Sequence, residues 1–558
     1  MPHHLSSRLL SLLKHLLIAT LCAAALFTLD YLYIQLVRPD LIDRFTGWKA
    51  TDAFWFVFGL MLAATYAPKR LVLILFGSLA LIHTSEFGYL SYFGVFFGPY
   101  DIWALFFELE DTFKVVVAEP ARILPFALAT GVLWGLVLYL LGLPKRPANG
   151  WVSGIIMTLL FSVPAIQLYG TNKDYFRPSY SYHSLHNSLF TLNYFLAGVL
   201  PEQLIKKKGK EYAPYELLSS NIDPVNTVVL IVGESVNPAQ LQITGAEVET
   251  TPYLQVMKDR GEIETGYAVS SATTTQIASG MLLNVIYEPD NPAQYISRET
   301  NLFRLAHQQG YRTHYITTQK TQSMSYYYYD SSIDTYLDYD SMQERKTHGD
   351  RRILETIKAL KLDYHQKNFL VLQHRNAHIP YVDNYPAEYE RFKPANSSFR
   401  ETSLAQYRNS LLYFDYTMAE LINYLKDQVP GQVALFYVSD HSELMGEDGL
   451  YGHRTLTPAI ARVPFISYTK GIDDEVKQQL YYRSECLPTH FNVARSVAQL
   501  LGINIHDPNY QAGITYTNSL DINGSQGFLT LNLAKDLKDY GCVPNNVAQQ
   551  PADVEPKQ

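Results

Sequence analysis

Cysteine is scarce in this chain, three in 558 residues, and that length with so few thiols excludes a small disulfide-stapled scaffold. Charge is sparse as well: 18% of residues are charged against 47% hydrophobic, which a largely disordered chain would not show. Basic residues are in deficit, 45 Lys and Arg against 53 Asp and Glu for a net charge of −8, and no large basic tract occurs, so nucleic acid is not an expected partner. No internal repeat is evident. The length leaves room for about three or four units of ~100–200 residues.

Long hydrophobic runs, by contrast, crowd the first third: Leu16–Val37, Ala53–Tyr66, Leu71–Tyr89, Ile123–Leu143 and Trp151–Leu168. Most approach the ~20 residues a helix needs to cross a bilayer, so residues 1–170 are expected to form a transmembrane domain of five helices. The second run is the shortest, and His83 and Glu86 interrupt the third. A cleaved signal peptide is not expected, because the first run continues through Asp30 and Tyr31 without a small-residue cleavage site. Arg8 and Lys14, Lys69 and Arg70, and Lys145 and Arg146 mark cytoplasmic ends, and an odd number of spans sends the rest of the chain to the outer side. The segment Asp101–Glu108 reads as a helix on the membrane surface, which either covers lipid-facing surface or brings Asp101 and Glu108 to a lipid headgroup. Residues 171–220 read as a bridge: an interfacial helix within Tyr182–Leu204, then Lys206, Lys207, Lys208 and Lys210, solvated or attracted to anionic headgroups. Cys22 falls in the first span, and pairing of Cys486 with Cys542 stays open.

Beyond Asn226 the pattern changes to short β-rich runs at Thr227–Val232, Thr313–Thr317, Phe369–Gln373, Val433–Val438 and Pro464–Tyr468. Helical segments at Leu302–Gln309, Ile353–Lys361, Leu404–Lys426 and Phe491–Leu501 alternate with them. The alternation predicts an α/β sandwich with a largely parallel sheet over residues 221–540, followed by a polar, disordered tail at 541–558. In such sheets ligand groups gather at the carboxyl ends of strands. Two of those ends carry acids: Glu234 follows Val228–Gly233, and Asp440, His441 and Glu443 follow Ala434–Ser439. Carboxylate oxygens with an imidazole nitrogen suit zinc or manganese better than a soft metal. Taken singly, Glu234 reads as well as a helix cap, and His441 as a histidine bonded to a backbone carbonyl.

The order and separation of Gly233-Glu234-Ser235, the Thr-rich segment Ser270–Thr275 and Ser439-Asp440-His441-Ser442-Glu443, behind five spans and a bridge, resembles the membrane phosphoethanolamine transferases of Gram-negative envelopes. These belong to the alkaline phosphatase and sulfatase superfamily, so the resemblance implies an N-terminal α-helical transmembrane domain and a C-terminal α/β sulfatase-like domain. Thr275 takes the last place of the family's Cys-Gly-Thr-x-Thr pattern and is the implied nucleophile, with Thr273 and Thr274 as local competitors. An ST-turn or helix cap is the plain alternative for this cluster. A helix expected at Gln276–Leu283 would point its positive end at phosphate oxygens. Matched residue by residue, Glu234, Thr275, Asp440 and His441 look like ligands of the principal zinc. His374–Tyr381 resembles the family's histidine-proline segment and Tyr451-Gly452-His453 its later histidine, so His378, His453 and Glu443 are implied to bind phosphate or a second zinc. His374 serves equally as a strand end, Lys320 is expected in solvent, and Tyr326–Tyr329 is expected to pack.

The implied reaction moves phosphoethanolamine from phosphatidylethanolamine to Thr275 and on to lipopolysaccharide, at lipid A or a core sugar. One or two zinc ions, ahead of manganese, would serve an enzyme of the inner membrane whose catalytic domain is periplasmic. Some positions depart from the family pattern: Ser442 replaces a common glycine, Asn237-Pro238 an arginine of the lipid A branch, and Ser271 that branch's cysteine, so the disulfide beside the nucleophile is missing. Thr250-Thr251-Pro252 and Ile316–Gln319 look more like the core-sugar branch. Rival readings are a membrane-anchored phosphodiesterase or sulfatase-like hydrolase, a transferase acting on a periplasmic glucan, and a binding protein on an inactive scaffold.

Overall fold

A computed structural model describes residues 2–37, 48–93, 96–99, 101–102, 113, 116–117, 120–144, 150–170, 183–201, 211–288, 291–319, 331–342, 347–396, 398–446, 451–453, 458–483, 487–510, 515–517 and 530–532. Its backbone divides into two compact units, Met1–Lys207 with Gly446–Tyr451, and Lys208–Met445 with Gly452–Gln558.

The first unit is built of helices α1 (Pro2–Val37), α2 (Trp48–Tyr66), α3 (Lys69–Phe93), α4 (Pro120–Gly142), α5 (Gly150–Phe161), α6 (Val163–Gly170) and α7 (Ser184–Tyr194). Among the described residues, three segments are long and apolar enough to cross a membrane: Leu9–Tyr33, Lys69–Ser91 and Ile123–Gly142. The runs expected as the second and fifth spans contain shorter apolar helices, Ala53–Tyr66 and Gly150–Phe161. The fifth is divided at Ser162, because Pro164 has no N–H to offer the carbonyl four residues back. Leu10, Leu73, Ile74, Leu81 and Val132 are exposed, as apolar side chains can be where lipid is the solvent. Ala19, Ala23 and Ala64 lie in the core among Leu26, Met61 and Phe76, where small residues let helices approach.

Inside this unit the polar residues that interrupt the third run are taken up by α7. Trp134 Nε1 donates to His83 Nδ1 at 2.9 Å, so His83 Nε2 carries the ring proton and donates to Ser184 Oγ at 2.7 Å. Ser184 donates its hydroxyl to Asp30, and its N–H reaches the other Asp30 oxygen at 2.6 Å. One helical turn on, the Ser188 hydroxyl donates to Glu86. The helix expected at an interface is therefore buried along nearly all of its length. Asp101 accepts from Gly98 N at 2.7 Å, whereas Glu108, Lys145, Arg146 and Lys206–Lys210 lie outside the described residues. Lys320, Tyr326–Tyr329, Cys486, Cys542 and the 541–558 tail lie outside them too, and Cys22 is buried and free.

The second unit holds a seven-stranded sheet: β1 (Thr227–Gly233), β2 (Glu264–Val269), β3 (Arg312–Thr317), β4 (Thr335–Leu337), β5 (Asn368–Gln373), β6 (Val433–Ser439) and β7 (Arg462–Lys470). The order across it is β2-β7-β6-β1-β5-β3-β4. Pairs β1–β5, β1–β6, β3–β5 and β3–β4 are parallel, and β7 runs against β2 and β6. Strands β2 and β4 are additions to the five that the sequence predicts. Alternate residues of β1 face two cores. Val228, Leu230 and Val232 pack with α9 (Leu302–Gln308) and α12 (His490–Leu500), whereas Val229 and Ile231 pack with α10 (Arg351–Leu360) and α11 (Phe399–Gln428). Helix α8 (Thr275–Leu283) adds Leu282 and Leu283 to the first core. Burial on both faces explains why these strands are continuous apolar runs rather than alternating ones.

Candidate active site

Parallel pairing decides where the acids meet. Gly233 stands opposite Ser439 in the β1–β6 ladder, so the next residues, Glu234 and Asp440, leave the sheet side by side, and Asp440 N donates to Gly233 O at 3.0 Å. β2 points the same way, since both β2 and β6 oppose β7, and it hands the chain to Ser270–Thr274 and α8. The last site residue of β1 needs a glycine before it: a Cβ on Gly233 would stand 2.1 Å from the Tyr437 hydroxyl. Ser235 then turns the chain with φ +57, a left-handed conformation that costs a serine ~1–3 kcal/mol. It is held there because Ser235 N donates to Asp440 Oδ1 at 3.0 Å and the Tyr407 hydroxyl donates to Ser235 O at 2.7 Å.

Thr275 opens α8 with its hydroxyl 3.1 Å and 3.3 Å from the two Glu234 oxygens and 3.2 Å from His441 Nε2. One hydroxyl proton faces three acceptors. His441 Nδ1 lies 3.0 Å from Ser442 O, which can only accept, so Nδ1 carries the proton and Nε2 presents a lone pair to Thr275. Asp440 Oδ2 is buried with no hydrogen-bond partner among the described residues. Glu234, Asp440 and His441 each offer an atom within 4.8 Å of the others. Converging lone pairs on buried groups repel unless a proton or a cation lies among them, so this donor set fits a divalent metal.

Electrostatics agree with the geometry. Burial, then the adjacent Asp440, pushes Glu234 up to about 8, and burial pushes Asp440 up to about 7. Burial followed by His453 lowers His441 to about 4, which keeps it neutral and able to act as a ligand. A second group adjoins the first: His453 Nδ1 lies 2.9 Å from Glu443 Oε2, and the His441 and His453 ring centres are 4.1 Å apart. His441, Glu443 and His453 again offer atoms within 4.8 Å of one another. The Tyr381 hydroxyl donates to Glu443 Oε1 at 2.9 Å, and Asn237 Nδ2 to Glu443 O at 2.8 Å. His378 is pushed well below the usual imidazole range by burial, then by Arg375 and His453.

Of the residues the sequence singles out, Thr275, Glu234, Asp440 and His441 are brought together, with Glu443 and His453 beside them. Thr273 is buried with its hydroxyl unpartnered among the described residues, and Thr274 is the N-cap of α8, so Thr275 alone of the three shares hydrogen-bond distance with both an acid and His441. His374 turns away and packs against Phe414 and Tyr437. Gln319 has a larger part than its place in a motif suggests, donating from Nε2 to Glu234 Oε2 at 2.7 Å and to His374 O at 3.2 Å. Tyr407 enters unannounced, since nothing local in its sequence marks a side chain that reaches a distant strand end, whereas Tyr381 and Asn237, within segments the sequence already singles out, both bond to Glu443.

Residues 226–503 match the protein family described as Sulfatase. The chain carries a sulfatase domain. Among curated proteins it is 25% identical over 253 residues to the Kdo(2)-lipid A phosphoethanolamine 7''-transferase of Salmonella typhimurium, covering 43% of each chain. It is 24% identical over 313 residues to the phosphoethanolamine transferase EptA of Helicobacter pylori, covering 53% of this chain and 56% of that one. These matches span about half the length of the curated relatives, or less. Among solved structures, the integral membrane lipooligosaccharide phosphoethanolamine transferase A of Neisseria meningitidis aligns with a TM-score of 0.59 at 20% identity, over 89% of this chain and 96% of that one. That likeness establishes the fold: apolar helices followed by a sulfatase domain, as the motifs imply. The chain is therefore similar in sequence and in fold to phosphoethanolamine transferases, and three of its described helices are long and apolar enough to cross a membrane.

Proposed function

We propose that this protein transfers phosphoethanolamine from phosphatidylethanolamine to lipopolysaccharide through a covalent intermediate on Thr275. The observation that carries the reading is the Thr275 hydroxyl, set 3.1–3.3 Å from Glu234 and His441 at the start of a helix. In the first displacement Thr275 Oγ bonds to the lipid phosphorus as its hydroxyl proton passes to the neutral ring of His378 or His453, the P–O bond to diacylglycerol breaks, and the same histidine returns that proton to the diacylglycerol oxygen. In the second, an acceptor hydroxyl oxygen bonds to the same phosphorus, the bond from phosphorus to the Thr275 oxygen breaks, and the acceptor's proton passes through the histidine to the Thr275 oxygen, which restores its hydroxyl. Glu234, Asp440, His441 and the Thr275 oxygen would hold a divalent ion, zinc ahead of manganese, which when bound favours ionisation of the hydroxyl near neutral pH. The first N–H groups of α8 face the charge that grows on the phosphoryl oxygens. His378, His453 and Glu443 bind the phosphate or a second ion.

We further propose five spans, counting α2 and the α5–α6 pair as the second and fifth, and with them a sulfatase domain on the periplasmic side of the inner membrane. A reporter fused after Lys210 should then behave as periplasmic, and cytoplasmic activity there would overturn the topology. The acceptor is separated by mass spectrometry of lipid A and core oligosaccharide from cells expressing this chain or its Thr275→Ala variant. A phosphoethanolamine present in either fraction only with the unsubstituted chain supports transfer and identifies the acceptor. If both fractions and the periplasmic glucans are unmodified while free phosphoethanolamine accumulates, the hydrolase reading takes its place.

A further inference from the structure

The loop from Ser270 to Thr274 hangs between two carriers. Its far end starts α8 with Thr275, and its first residue, Ser270, meets the strand end that bears Asp440 and His441. The Ser270 hydroxyl donates to Asp440 O, a direct tie. Ser271 has no such direct tie. Its N–H and its hydroxyl lie 3.3 Å and 3.2 Å from His490 Nδ1, while the opposite ring nitrogen, Nε2, lies 2.9 Å from Ser439 O. A carbonyl oxygen only accepts, so Nε2 carries the ring proton and Nδ1 must be the acceptor for Ser271. The imidazole thus spends one nitrogen on each carrier.

The ring is also held from behind. His490 is the first residue of α12, 1% exposed, and follows the N-cap Thr489, whose side chain and that of Asn492 form a reciprocal capping box. Val269 N donates to Pro488 O at 2.8 Å, which ties the start of the loop to the residues just ahead of this cap. Burial lowers His490 to about 4, so the neutral tautomer that both contacts require is the one present at neutral pH.

We propose that His490 is a positioning residue, fixing the Thr275 loop in register with the strand end that carries Asp440 and His441. It has no contact with Thr275 itself, and the proposal rests on the reading of Thr275 as nucleophile. An apolar packing residue would fill the same space without joining the two segments. Loss of the joint would let Thr275 drift from Glu234 and His441 while those two stay anchored to β1 and β6.

The test compares the full-length chain with its His490→Ala, His490→Gln and Ser271→Ala variants. Hydrogen–deuterium exchange over residues 270–276, bound metal and the steady-state release of diacylglycerol are measured on each. His490→Ala should raise exchange in that segment and lower kcat by about 10- to 100-fold, as a nucleophile displaced by ~1 Å would, with KM and bound metal held. Ser271→Ala should do the same more weakly, and His490→Gln, which keeps a donor and an acceptor, should restore part of both losses. Unchanged exchange at 270–276 would overturn the proposal. So would exchange that rises equally in β1 and β5, which marks a merely structural role, or metal lost in step with turnover, which would make His490 a support of the ligands instead. If the unsubstituted chain releases no diacylglycerol, the functional reading fails, and the exchange pattern still decides whether His490 joins the two segments.

Discussion

In the membrane unit, each donor of the chain running from Trp134 through His83 and Ser184 to Asp30 has an acceptor waiting for it. In the sulfatase domain, Thr275 brings one proton to three acceptor atoms, and Asp440 Oδ2 receives no hydrogen bond among the described residues. The residue types overlap: acids, a histidine and a hydroxyl, all buried except Thr275, which is half-buried. The difference lies in the count of donors. A matched buried network locks helices together, here α7 to α1, α3 and α4, because breaking it strands polar groups in an apolar medium. A cluster with surplus acceptors is costly as it stands and favourable once a cation or a reacting group enters it. Even the membrane network is not perfectly matched, since Glu86 Oε1 has no partner among the described residues.

Substitutions in the two clusters should therefore fail in opposite ways. The largest effect on chemistry is expected from Thr275→Ala: transfer should fall by about 1,000-fold or more, as when a nucleophile is removed, with the thermal unfolding midpoint and circular dichroism essentially unchanged. Glu234→Ala and Asp440→Ala come next. Each should reduce bound metal, measured by elemental analysis of the purified protein, together with turnover; full metal occupancy in both would refute their assignment as ligands. Asp30→Asn should reverse the pattern, lowering the unfolding midpoint in detergent by an amount equivalent to about 1–3 kcal/mol, while turnover per folded molecule is kept. The smallest change is expected from Ser442→Gly. Ser442 Oγ is buried without a partner, so losing the hydroxyl offsets the ~0.5–1 kcal/mol of added glycine flexibility, and activity and midpoint should both stay near those of the unsubstituted chain.

What the sequence made legible follows the same division. β1, β3, β5, β6 and β7 are visible as apolar β-rich runs because four of them are buried on both faces or nearly so and the fifth, β7, is buried through its middle. β2, Glu-Thr-Gly-Tyr-Ala-Val, is half exposed at the sheet edge and carries little periodic signal; its pairing with β7 is what makes it a strand. The acids at the ends of β1 and β6 sit in short contiguous motifs, so sequence order alone points to them. Gln319, Tyr407 and His490 act across distances of 85, 172 and 51 residues along the chain, and only the strand order, for Gln319, and the packing of α11 and α12 on the sheet, for Tyr407 and His490, make them neighbours of the site. In the membrane unit His83 and Glu86 read as interruptions of an apolar run; that they bind Ser184 and Ser188 depends on how α7 packs against α3.

The surplus of acceptors around one hydroxyl is the centre of the account, and it has a direct chemical consequence: Thr275 should be the residue that becomes modified. Peptide mass spectrometry of the full-length protein, quenched during incubation with phosphatidylethanolamine, measures this. The expected result is a phosphoethanolamine adduct on Thr275, absent from the Thr275→Ala protein. An adduct on Thr273 or Thr274, or turnover that persists in Thr275→Ala, would contradict it.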